Sequence, residues 1–379
     1  MIFRDILIVY RIMTEWKTYK LGDIAKFQTG KLNSNAAVEN GKYPFFTCSP
    51  NTLAIDNYAF DKEAILLAGN NAEGNFSIKY YKGKFNAYQR TYIIETYNDI
   101  CDIKFLFYAL KLCLQQFKLM SQGTSTKFLT AVILNNFEIS LPGLEEQRRI
   151  AGILGAIDDK IENNRRINDN LEQQAQTLFD EWFVNDSTQP AEYNRASLTD
   201  IANYLNGLAM QRFRPQSDEK AIPVLKIKEL GQGMCDSSSD ICSQSIDSKY
   251  IVNDGDIIFS WSGTLLVDIW CGGICGLNQH LFKVTSDKYP KWFVYYWTKY
   301  HLAKFIRIAK DKAVTMGHIK RGDLETSEVL IPNAEILSKM DNIIAPIFDA
   351  IISRRVENKT LATLRDTLLP KLMNGEIKL

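Results

Sequence analysis

The feature that most constrains the fold is an internal duplication of the chain. Residues 21–30 (LGDIAKFQTG) resemble residues 198–207 (LTDIANYLNG), at an offset of 177. Further short matches follow in the same order: 43–46 with 222–225, 64–67 with 256–259, 89–90 with 279–280, 107–108 with 294–295, and 141–142 with 331–332. One match could arise by chance, but a colinear series indicates two copies of one structural unit. The offset reaches 190 at the end, so the second copy carries a small net insertion.

Each copy has the residue pattern of an α+β domain. In the first copy an amphipathic helix is expected to begin at residues 21–25. Short β-type runs follow, separated by Gly and Asn turns, at 43–47, 64–68, 77–81 and 92–95. A helix is expected over residues 103–120, then a Gly/Ser/Thr loop and a strand that ends at Pro142. The predicted fold class is therefore α+β, with two tandem domains.

Each domain is followed by a segment with the pattern of a long helix. Residues 156–187 contain no Gly or Pro, and apolar residues recur at alternating spacings of four and three. The first seam runs through Ile150, Leu154, Ile157, Ile161, Leu171, Ala175, Leu178 and Trp182. A shift of 190 residues gives a similar seam from Met340 to Leu372. The predicted organisation is an N-terminal extension (1–12, with Met13 as the natural start), a first domain (13–143), a central helix (144–184), a second domain (185–333) and a C-terminal helix (334–379).

The two long helices each lack a partner for an apolar stripe, so we expect them to pack together as an antiparallel coiled coil. The middle of each seam is polar, with Asn164 and Asn168 in the first helix and Arg354 and Asn358 in the second. Pseudo-twofold pairing would place Asn164 near Asn358 and Asn168 near Arg354. A buried polar layer would fix the register at some cost in stability. The alternative is a loose, solvated middle section.

Composition limits the classes of function. The formal net charge is +1, so a nucleic-acid surface must come from local clusters of Lys and Arg. Seven cysteines without a CxxC pair, and three histidines, offer no metal-ligand spacing, so no metal and no cofactor are expected on this chain. No apolar run is long enough to cross a membrane. Reduced cysteines are typical of a cytoplasmic protein.

The motifs of the common catalytic sites are missing from the sequence. It has no GxxxxGK[ST] phosphate loop, no GxSxG or HExxH motif, and no Asn-Pro-Pro-aromatic motif of an amino-methyltransferase. Asp218, Glu219 and Lys220 have the local shape of a nuclease motif but no evident acidic partner. His280 and His318 each lack an evident nucleophile or acid. No catalytic residue is therefore predicted.

Basic, aromatic and amide side chains cluster at corresponding places in the two halves. In the first half they are Lys31, Asn33, Lys79, Tyr81, Lys82, Lys84, Gln89, Arg90, Thr124, Ser125 and Lys127. In the second half they are Arg212, Arg214, Lys226, Lys228, Gln279, His280, Lys312, Thr315, His318, Lys320 and Arg321. Lys and Arg neutralise phosphates, and Arg, Gln and Asn can read base edges. We predict DNA contacts at these residues, with residues 79–84 as a basic-aromatic hairpin. The alternative for any single cluster is an ordinary charged surface.

Three segments carry a family resemblance. Residues 16–24 open the first domain, residues 141–154 lead into the central helix through LPxxEEQxxIAxxL, and residues 364–377 end the chain with LRxxLLPxLxxGEI. In these motifs the chain from Trp16 to Leu379 resembles the specificity subunits of type I restriction-modification enzymes.

The resemblance implies that each domain is a target-recognition domain that reads one half of a split DNA site. It implies that the helices act as a ruler between the half-sites and dock two modification subunits, which bind S-adenosylmethionine and methylate adenine. Restriction subunits that use ATP and Mg²⁺ would join this core and cleave DNA. The chain itself would have no active site.

Two features depart from the family pattern. The start of the second helix, residues 331–339, lacks the Glu-Gln-Arg run of the first, and Pro346 is expected to kink or restart that helix. The two docking surfaces are therefore not expected to be equivalent. Two other functions stay open: a DNA methyltransferase or nuclease acting alone, which would need a cofactor fold or an acid cluster, and a scaffold without a role on DNA.

Overall fold

The computed structural model describes residues 16–97, 99–185, 193–311 and 317–379. The predicted extension 1–12 and start at Met13 lie outside the described residues, as do the candidate DNA contacts Lys312 and Thr315. The chain divides into two compact units, one of Met1–Asp159 with Thr363–Leu379 and the other of Lys160–Ala362. Each unit therefore combines one globular domain with segments of both long helices.

The first domain is built from ten short strands and four short helices among its described residues. In chain order they are β1 (Lys17–Lys20), α1 (Leu21–Ile24), β2 (Ala25–Thr29), β3 (Tyr43–Phe46), β4 (Leu53–Ile55), β5 (Phe60–Ala68), β6 (Asn70–Asn71), β7 (Ile78–Ala87), β8 (Thr91–Thr96), α2 (Ile103–Leu112), α3 (Leu114–Met120), β9 (Lys127–Phe128), α4 (Ala131–Asn136) and β10 (Glu138–Leu141). The long helix α5 (Leu144–Phe183) follows directly.

The second domain follows a related order with an added helix, α7 (Ile227–Gln232). Its elements are β11 (Asn194–Ser197), α6 (Leu198–Ile201), β12 (Asn203–Asn206), β13 (Ala221–Leu225), α7 (Ile227–Gln232), β14 (Ile241–Ser243), β15 (Ile251–Val252), β16 (Ile257–Ser260), β17 (Leu266–Ile269), β18 (Cys275–Leu277), β19 (Leu281–Thr285), α8 (Lys291–Tyr300), α9 (Leu302–Asp311), α10 (Arg321–Glu325) and β20 (Glu328–Ile331). The long helix α11 (Ala334–Met373) completes the set.

The strand connections show the duplication at the level of topology. In the first domain β2, β8, β5, β7, β3 and β4 lie side by side in one six-stranded sheet. In the second domain β12, β19, β16 and β17 form one four-stranded sheet, and β14, β13, β18 and β15 form another. The single strand β7 corresponds to β17 and β18 together, because β7 pairs with both β5 and β3 whereas β17 pairs with β16 and β18 with β13. Residues 270–274, which include Gly272 and Gly273, lie between the two strands. The outer strands of each domain also pair alike, β1 with β10 and β11 with β20.

Matched glycines mark the tightest backbone approach in both domains. A Cβ atom on Gly30 would lie 1.9 Å from the carbonyl oxygen of Ala87, and one on Gly207 would lie 2.2 Å from that of Asn278. Only glycine fits at such a distance. Glycine therefore occurs at both Gly30 and Gly207 because the same close approach of two backbone segments is present in both domains.

The two long segments form helices of 40 residues each. Each is anchored in the core of a globular domain. The buried helix residues are Ile150, Ala151, Leu154, Leu369 and Leu372 in the first unit, and Ala175, Phe179, Phe183, Met340, Ile344 and Phe348 in the second. Burial of a large apolar side chain contributes roughly 1.5–3 kcal/mol. Tertiary packing therefore stabilises these helices more than local propensity does.

Two local predictions for the first domain were wrong in detail. The helix expected from residue 21 is a single turn, because Leu21 and Ile24 enter the core and the chain then continues as β2, paired with β8. The helix expected over 103–120 is divided between α2 and α3 at Cys113, whose backbone N–H donates to both Ala109 and Leu110. Propensity alone could not place either boundary, since pairing and burial decide both.

Two further predictions need correction. Residues 79–84 do not form a hairpin, because β7 runs through them as one strand paired along its length with β5. Pro346 does not restart the second helix, and α11 is helical on both sides of it. Proline removes one hydrogen bond from a helix, but Ile344 and Phe348 are buried on either side of Pro346 and hold both parts in place.

Candidate nucleic-acid interface

In the first domain, the turn between β7 and β8 brings together several predicted DNA contacts. The backbone N–H of Gln89 donates to the carbonyl of Leu32 at 2.9 Å. The side-chain amide of Gln89 donates to Oδ1 of Asn33 at 2.8 Å. Exposed Lys31 and Asn33 therefore lie beside Gln89, although more than fifty residues separate them in sequence.

Arg90 extends from the same turn over the ring of Phe128, with its guanidinium carbon 5.3 Å from the ring centroid. Strand β9 positions Phe128 and Lys127, since it pairs with β6. The cation–π contact orients the guanidinium while Arg90 stays exposed. We call Lys31, Asn33, Gln89, Arg90, Lys127 and Phe128 the first crossing.

Thr124 and Ser125 lie at the tip of a tight loop that ends at the first crossing. Gln122 and Phe128 close this loop with two backbone hydrogen bonds of 3.0 and 2.7 Å. Both hydroxyl residues are exposed. Their donors are therefore presented next to the crossing.

The basic residues of β7 do not form one patch, because side chains alternate between the faces of a strand. Lys79 donates to the carbonyl of Ser49 at 3.0 Å, and burial lowers the pKa of Lys79. Tyr81 packs against Phe46 and Phe85, with ring centroids 5.3 and 5.8 Å away. Both side chains therefore have structural contacts within the domain.

The other two basic residues of β7 also have partners. Lys82 forms an ion pair with Glu63 at 3.2 Å. The Nζ atom of Lys84 lies 4.8 Å from the centroid of the Tyr58 ring. Lys82 and Lys84 stay exposed.

The equivalent turn of the second domain, between β18 and β19, carries Gln279 and His280. The N–H of Trp261 donates to the carbonyl of His280 at 3.4 Å. The indole lies 6.0 Å from the His280 ring and 6.3 Å from the His318 ring, centroid to centroid. We call Gln279, His280, Trp261 and His318 the second crossing. Two histidines that had no evident partner in the sequence thus meet on one indole.

The lysines at the start of α7 are paired with acids. Lys226 forms an ion pair with Asp240. Lys228 lies 3.6 Å from Asp236. Lys226 lowers the pKa of Asp240, first through their hydrogen bond. The positive charge of these two lysines is therefore largely compensated within the domain.

The remaining predicted residues of the second domain that the structure describes lie on its surface. Arg212 and Arg214 are exposed at the start of the long loop before β13. Lys320 and Arg321 directly follow the second crossing, and Arg321 lies 3.8 Å from Glu325. Arg321 and Trp261 line the same open cavity of about 440 Å³.

The acidic triplet considered for a nuclease has a structural role instead. Glu219 accepts a hydrogen bond from the hydroxyl of Ser243 and another from the backbone N–H of Gln216. The Ser243 contact is the main reason that the pKa of Glu219 falls to about 2. Among the described residues, no group of three or more His, Cys, Asp or Glu side chains is placed to hold a metal ion.

In the polar middle of the helix seam, Asn164 and Asn168 are buried within the second unit, and Arg354 and Asn358 are half-buried. Nδ2 of Asn164 donates to Oδ1 of Asn358 at 2.9 Å and to Oε2 of Glu357 at 2.7 Å. Nδ2 of Asn168 donates to the carbonyl of Ile351 at 3.2 Å. Asn164 is fully buried, and Asn168 is 5% exposed. Within this unit the two helices therefore run in opposite directions.

The second predicted pair of this layer is Asn168 with Arg354. Within the described ranges no hydrogen bond joins Asn168 to Arg354, whose guanidinium donates to the carbonyl of Ala350 in its own helix at 3.0 Å. Asn168 instead donates to the backbone carbonyl of Ile351, which lies about one helical turn before Arg354 in the second long helix. The Oδ1 atoms of Asn164 and Asn168 are buried and accept no hydrogen bond from the part of the chain that is described.

The sequence matches the model of the family described as the type I restriction modification DNA specificity domain, over residues 13–173 and again over 190–365. The chain belongs to this family. The resemblance that the sequence motifs predicted is therefore confirmed. Each match covers one domain and much of the long helix that follows it.

Named relatives are similar over different lengths. The MjaIX specificity subunit of Methanocaldococcus jannaschii is 26% identical over 97% of this chain and 95% of its own length. The EcoDI specificity subunit of Escherichia coli is 39% identical over 44% of this chain, which spans only 36% of the EcoDI subunit. A crystal structure of a type I S subunit from M. genitalium has a TM-score of 0.65 at 16% identity and covers 96% of this chain and 97% of its own. That likeness supports the two-domain α+β fold.

In this member of the specificity family, Arg355 of α11 joins three elements of the second unit. Its guanidinium donates to Glu172 of α5 at 2.6 Å and to Asp268 of β17 at 2.8 Å. It also donates to the carbonyl of Ile269 at 3.3 Å. These acids outweigh the effect of burial and raise the pKa of Arg355. The second domain is thus tied to both helices through one side chain.

A carboxylate has the corresponding role in the first unit. Asp158 of α5 accepts from Arg365 of α11 at 2.7 Å and from the hydroxyl of Tyr108 in α2 at 2.7 Å. Tyr108 is buried, and burial together with this bond raises its pKa. The first domain is therefore also tied to both helices.

Sequence reasoning missed Trp261, Arg355 and Asp158 as functional candidates. Arg355 and Asp158 lie within the two segments expected to form long helices, and their partners are distant in sequence. Trp261 follows a buried strand, where an aromatic residue is ordinary. The one available signal was its position after the repeat match of 64–67 with 256–259.

None of the helices described is long and apolar enough to cross a membrane.

Proposed function

We propose that this chain is the DNA-recognition subunit of a type I restriction-modification complex, and that each domain reads one half of a bipartite site. The observation that carries the proposal is the repeat of one exposed crossing in both domains. A Gln residue occupies the same turn in each, Gln89 after β7 and Gln279 after β18. Two copies of one DNA-contacting surface suit a DNA site that is divided into two halves.

The chemistry of the first crossing suits double-stranded DNA. Gln89 and Asn33 offer amides that can pair with an adenine edge, and Arg90 offers donors for a guanine edge. Lys31 and Lys127 can neutralise phosphates beside them. Thr124 and Ser125 add hydroxyl donors that fix position on the backbone. We assign the other predicted basic residues that the structure describes to the general charged surface, because most of them have acidic or aromatic partners.

The long helices are proposed to set the distance between the half-sites. A helix of 40 residues is about 60 Å long at roughly 1.5 Å per residue. The proposed antiparallel coiled coil has its register fixed by the Asn164 layer. The polar junctions at Arg355 and Asp158 hold each domain on the helix pair.

The partners follow from the family. We propose that two modification subunits dock on the helices, bind S-adenosylmethionine and methylate adenine, and that restriction subunits use ATP and Mg²⁺ to cleave DNA. This chain would bind none of these cofactors and catalyse no step. The assembly would work in the cytoplasm, where the DNA lies.

The test is reconstitution of the chain with the modification subunits and mapping of adenine methylation on random-sequence DNA. The expected result is a bipartite motif that is lost when this chain is omitted. Methylation by the modification subunits without this chain would contradict a recognition role. S-adenosylmethionine binding or DNA cleavage by this chain alone would favour an enzyme, and an unchanged motif after charge reversal at Arg90 and Lys127 would favour a scaffold.

A further inference from the structure

Backbone hydrogen bonds give a residue-by-residue equivalence between the two crossings. In the first domain Gly69, directly after β5, donates to the carbonyl of Arg90 at 2.8 Å and accepts from Leu129 at 2.9 Å. In the second domain Trp261, directly after β16, donates to His280 at 3.4 Å and accepts from Ile319 at 3.2 Å. Trp261 therefore occupies the position of Gly69.

The same equivalence pairs the side chains around this position. His280 stands where the first domain has Arg90, and His318 stands where it has Phe128. A β-bridge between Ser262 and His318 corresponds to the pairing of Asn70 with Phe128. The two crossings thus have the same backbone arrangement but carry different side chains.

The first domain has no space for a side chain at Gly69. A Cβ atom there would lie 2.5 Å from the carbonyl oxygen of Arg90 and 3.0 Å from the Tyr92 ring. Tyr92 holds this position, since its hydroxyl donates to the carbonyl of Leu129 at 2.9 Å. Because no side chain can stand at position 69, the only ring that contacts Arg90 among those described is that of Phe128.

The second domain has Phe282 in place of Tyr92, without the hydroxyl. The Trp261 indole stacks on Phe282 with centroids 5.6 Å apart, and its Nε1 donates to Asn206 at 2.9 Å. The indole is thereby fixed in orientation and half-buried, with the exposed rings of His280 and His318 against it. It acts as a rigid support for two imidazoles.

We propose that Trp261, His280 and His318 form the base-reading site of the second domain, the counterpart of Arg90 on Phe128 in the first. The guanidinium of Arg90 can only donate and suits the two acceptors of guanine. A neutral imidazole can donate through one ring nitrogen or accept through the other. Two imidazoles side by side can therefore meet a base edge that offers an acceptor and a donor, such as the N7 and N6 of adenine. Trp261 is thus a specificity-determining residue of one half-site. This inference rests on the proposed recognition function.

The experiment compares methylation motifs of the reconstituted complex carrying Arg90→His, His280→Arg or Trp261→Ala. His280→Arg and Trp261→Ala should each change or relax base preference in the same half of the motif, by about tenfold or more at the affected position. Arg90→His should change the other half only. Trp261→Phe keeps a ring against Phe282 and should preserve more of the preference, and Tyr300→Ala, an exposed aromatic elsewhere in the unit, should leave the motif unchanged.

Three results would overturn the proposal. The first is a motif unaltered by Trp261→Ala in a complex that still methylates. The second is an effect of Trp261→Ala in the half that Arg90→His changes. The third is a uniform loss of DNA affinity without change of motif, which would indicate phosphate contact only. If the wild-type complex has no bipartite motif at all, the proposed function fails first, so the two failures are distinct.

Discussion

Asn164 of the first long helix donates a hydrogen bond of 2.9 Å to Asn358 of the second, in a layer where Asn164 is completely buried. The apolar seam is interrupted at this layer, where the amides of the two helices meet in the observed alignment. Sliding either helix would separate Asn164 from Asn358. We therefore expect the layer to favour one register at the expense of stability.

Replacing Asn164 with Ala should lower the free energy of unfolding by about 1–3 kcal/mol, because Asn358 loses its partner in a buried place. Urea denaturation measures the effect, and Asn163→Ala, at an exposed neighbouring position, is the control. The double substitution Asn164→Leu with Asn358→Leu should regain stability but broaden the range of accepted half-site spacings. A double variant as strict in spacing as the wild type would argue against a register role.

Arg355→Met should destabilise the second unit more than Arg354→Met does. Arg355 holds Glu172 and Asp268 together, whereas Arg354 contacts only its own helix backbone among the bonds described. We expect Arg355→Met to lower the free energy of unfolding by roughly 2 kcal/mol. This is below the loss of roughly 3–5 kcal/mol on breaking a fully buried ion pair, because solvent reaches these groups. Chemical denaturation of the two variants side by side tests this, and equal midpoints would contradict it.

The stability of the second unit should fall as the pH is lowered below about 6.5. Burial holds the pKa of His301 below its ordinary value of 6.5, and its Nε2–H donates to the carbonyl of Glu328 at 2.8 Å. As the pH falls, His301 binds its proton at a higher pH in the unfolded chain than in the folded one. The contribution of neutral His301 to the free energy of unfolding is therefore complete above pH 6.5 and is lost as the pH falls to the pKa of His301 in the folded chain. His301→Gln keeps a donor and should reduce this slope in denaturation measured between pH 7.5 and 5.5. An identical slope in the variant would exclude His301 as its source.

Lys127→Ala should weaken DNA binding by the complex and reduce the slope of log affinity against log salt by about 1. Lys127 belongs to the first crossing, where a phosphate contact is expected. Lys82→Ala is the matched control, because Lys82 is paired with Glu63 away from that crossing. Binding isotherms at several salt concentrations distinguish the two. A larger effect of Lys82→Ala would mean that the phosphate track follows β7 instead.

The sequence by itself determined the features that depend on local pattern. Colinear matches revealed the duplication, the four-three spacing gave both long helices, and the seam placed Asn164 near Asn358. The family motifs also lie in continuous segments. Periodicity and short motifs survive in sequence because each residue there acts through neighbours a few positions away.

Only the tertiary structure decided which distant side chains meet. Lys79–Lys84 read as one basic patch, yet strand alternation and Glu63 divide it. Trp261, by contrast, joins His280 and His318 because strand pairing brings three separate segments together. Arg355 meets Glu172 and Asp268 for the same reason. Such contacts are set by register and packing across the fold, and no local pattern of residue types records them.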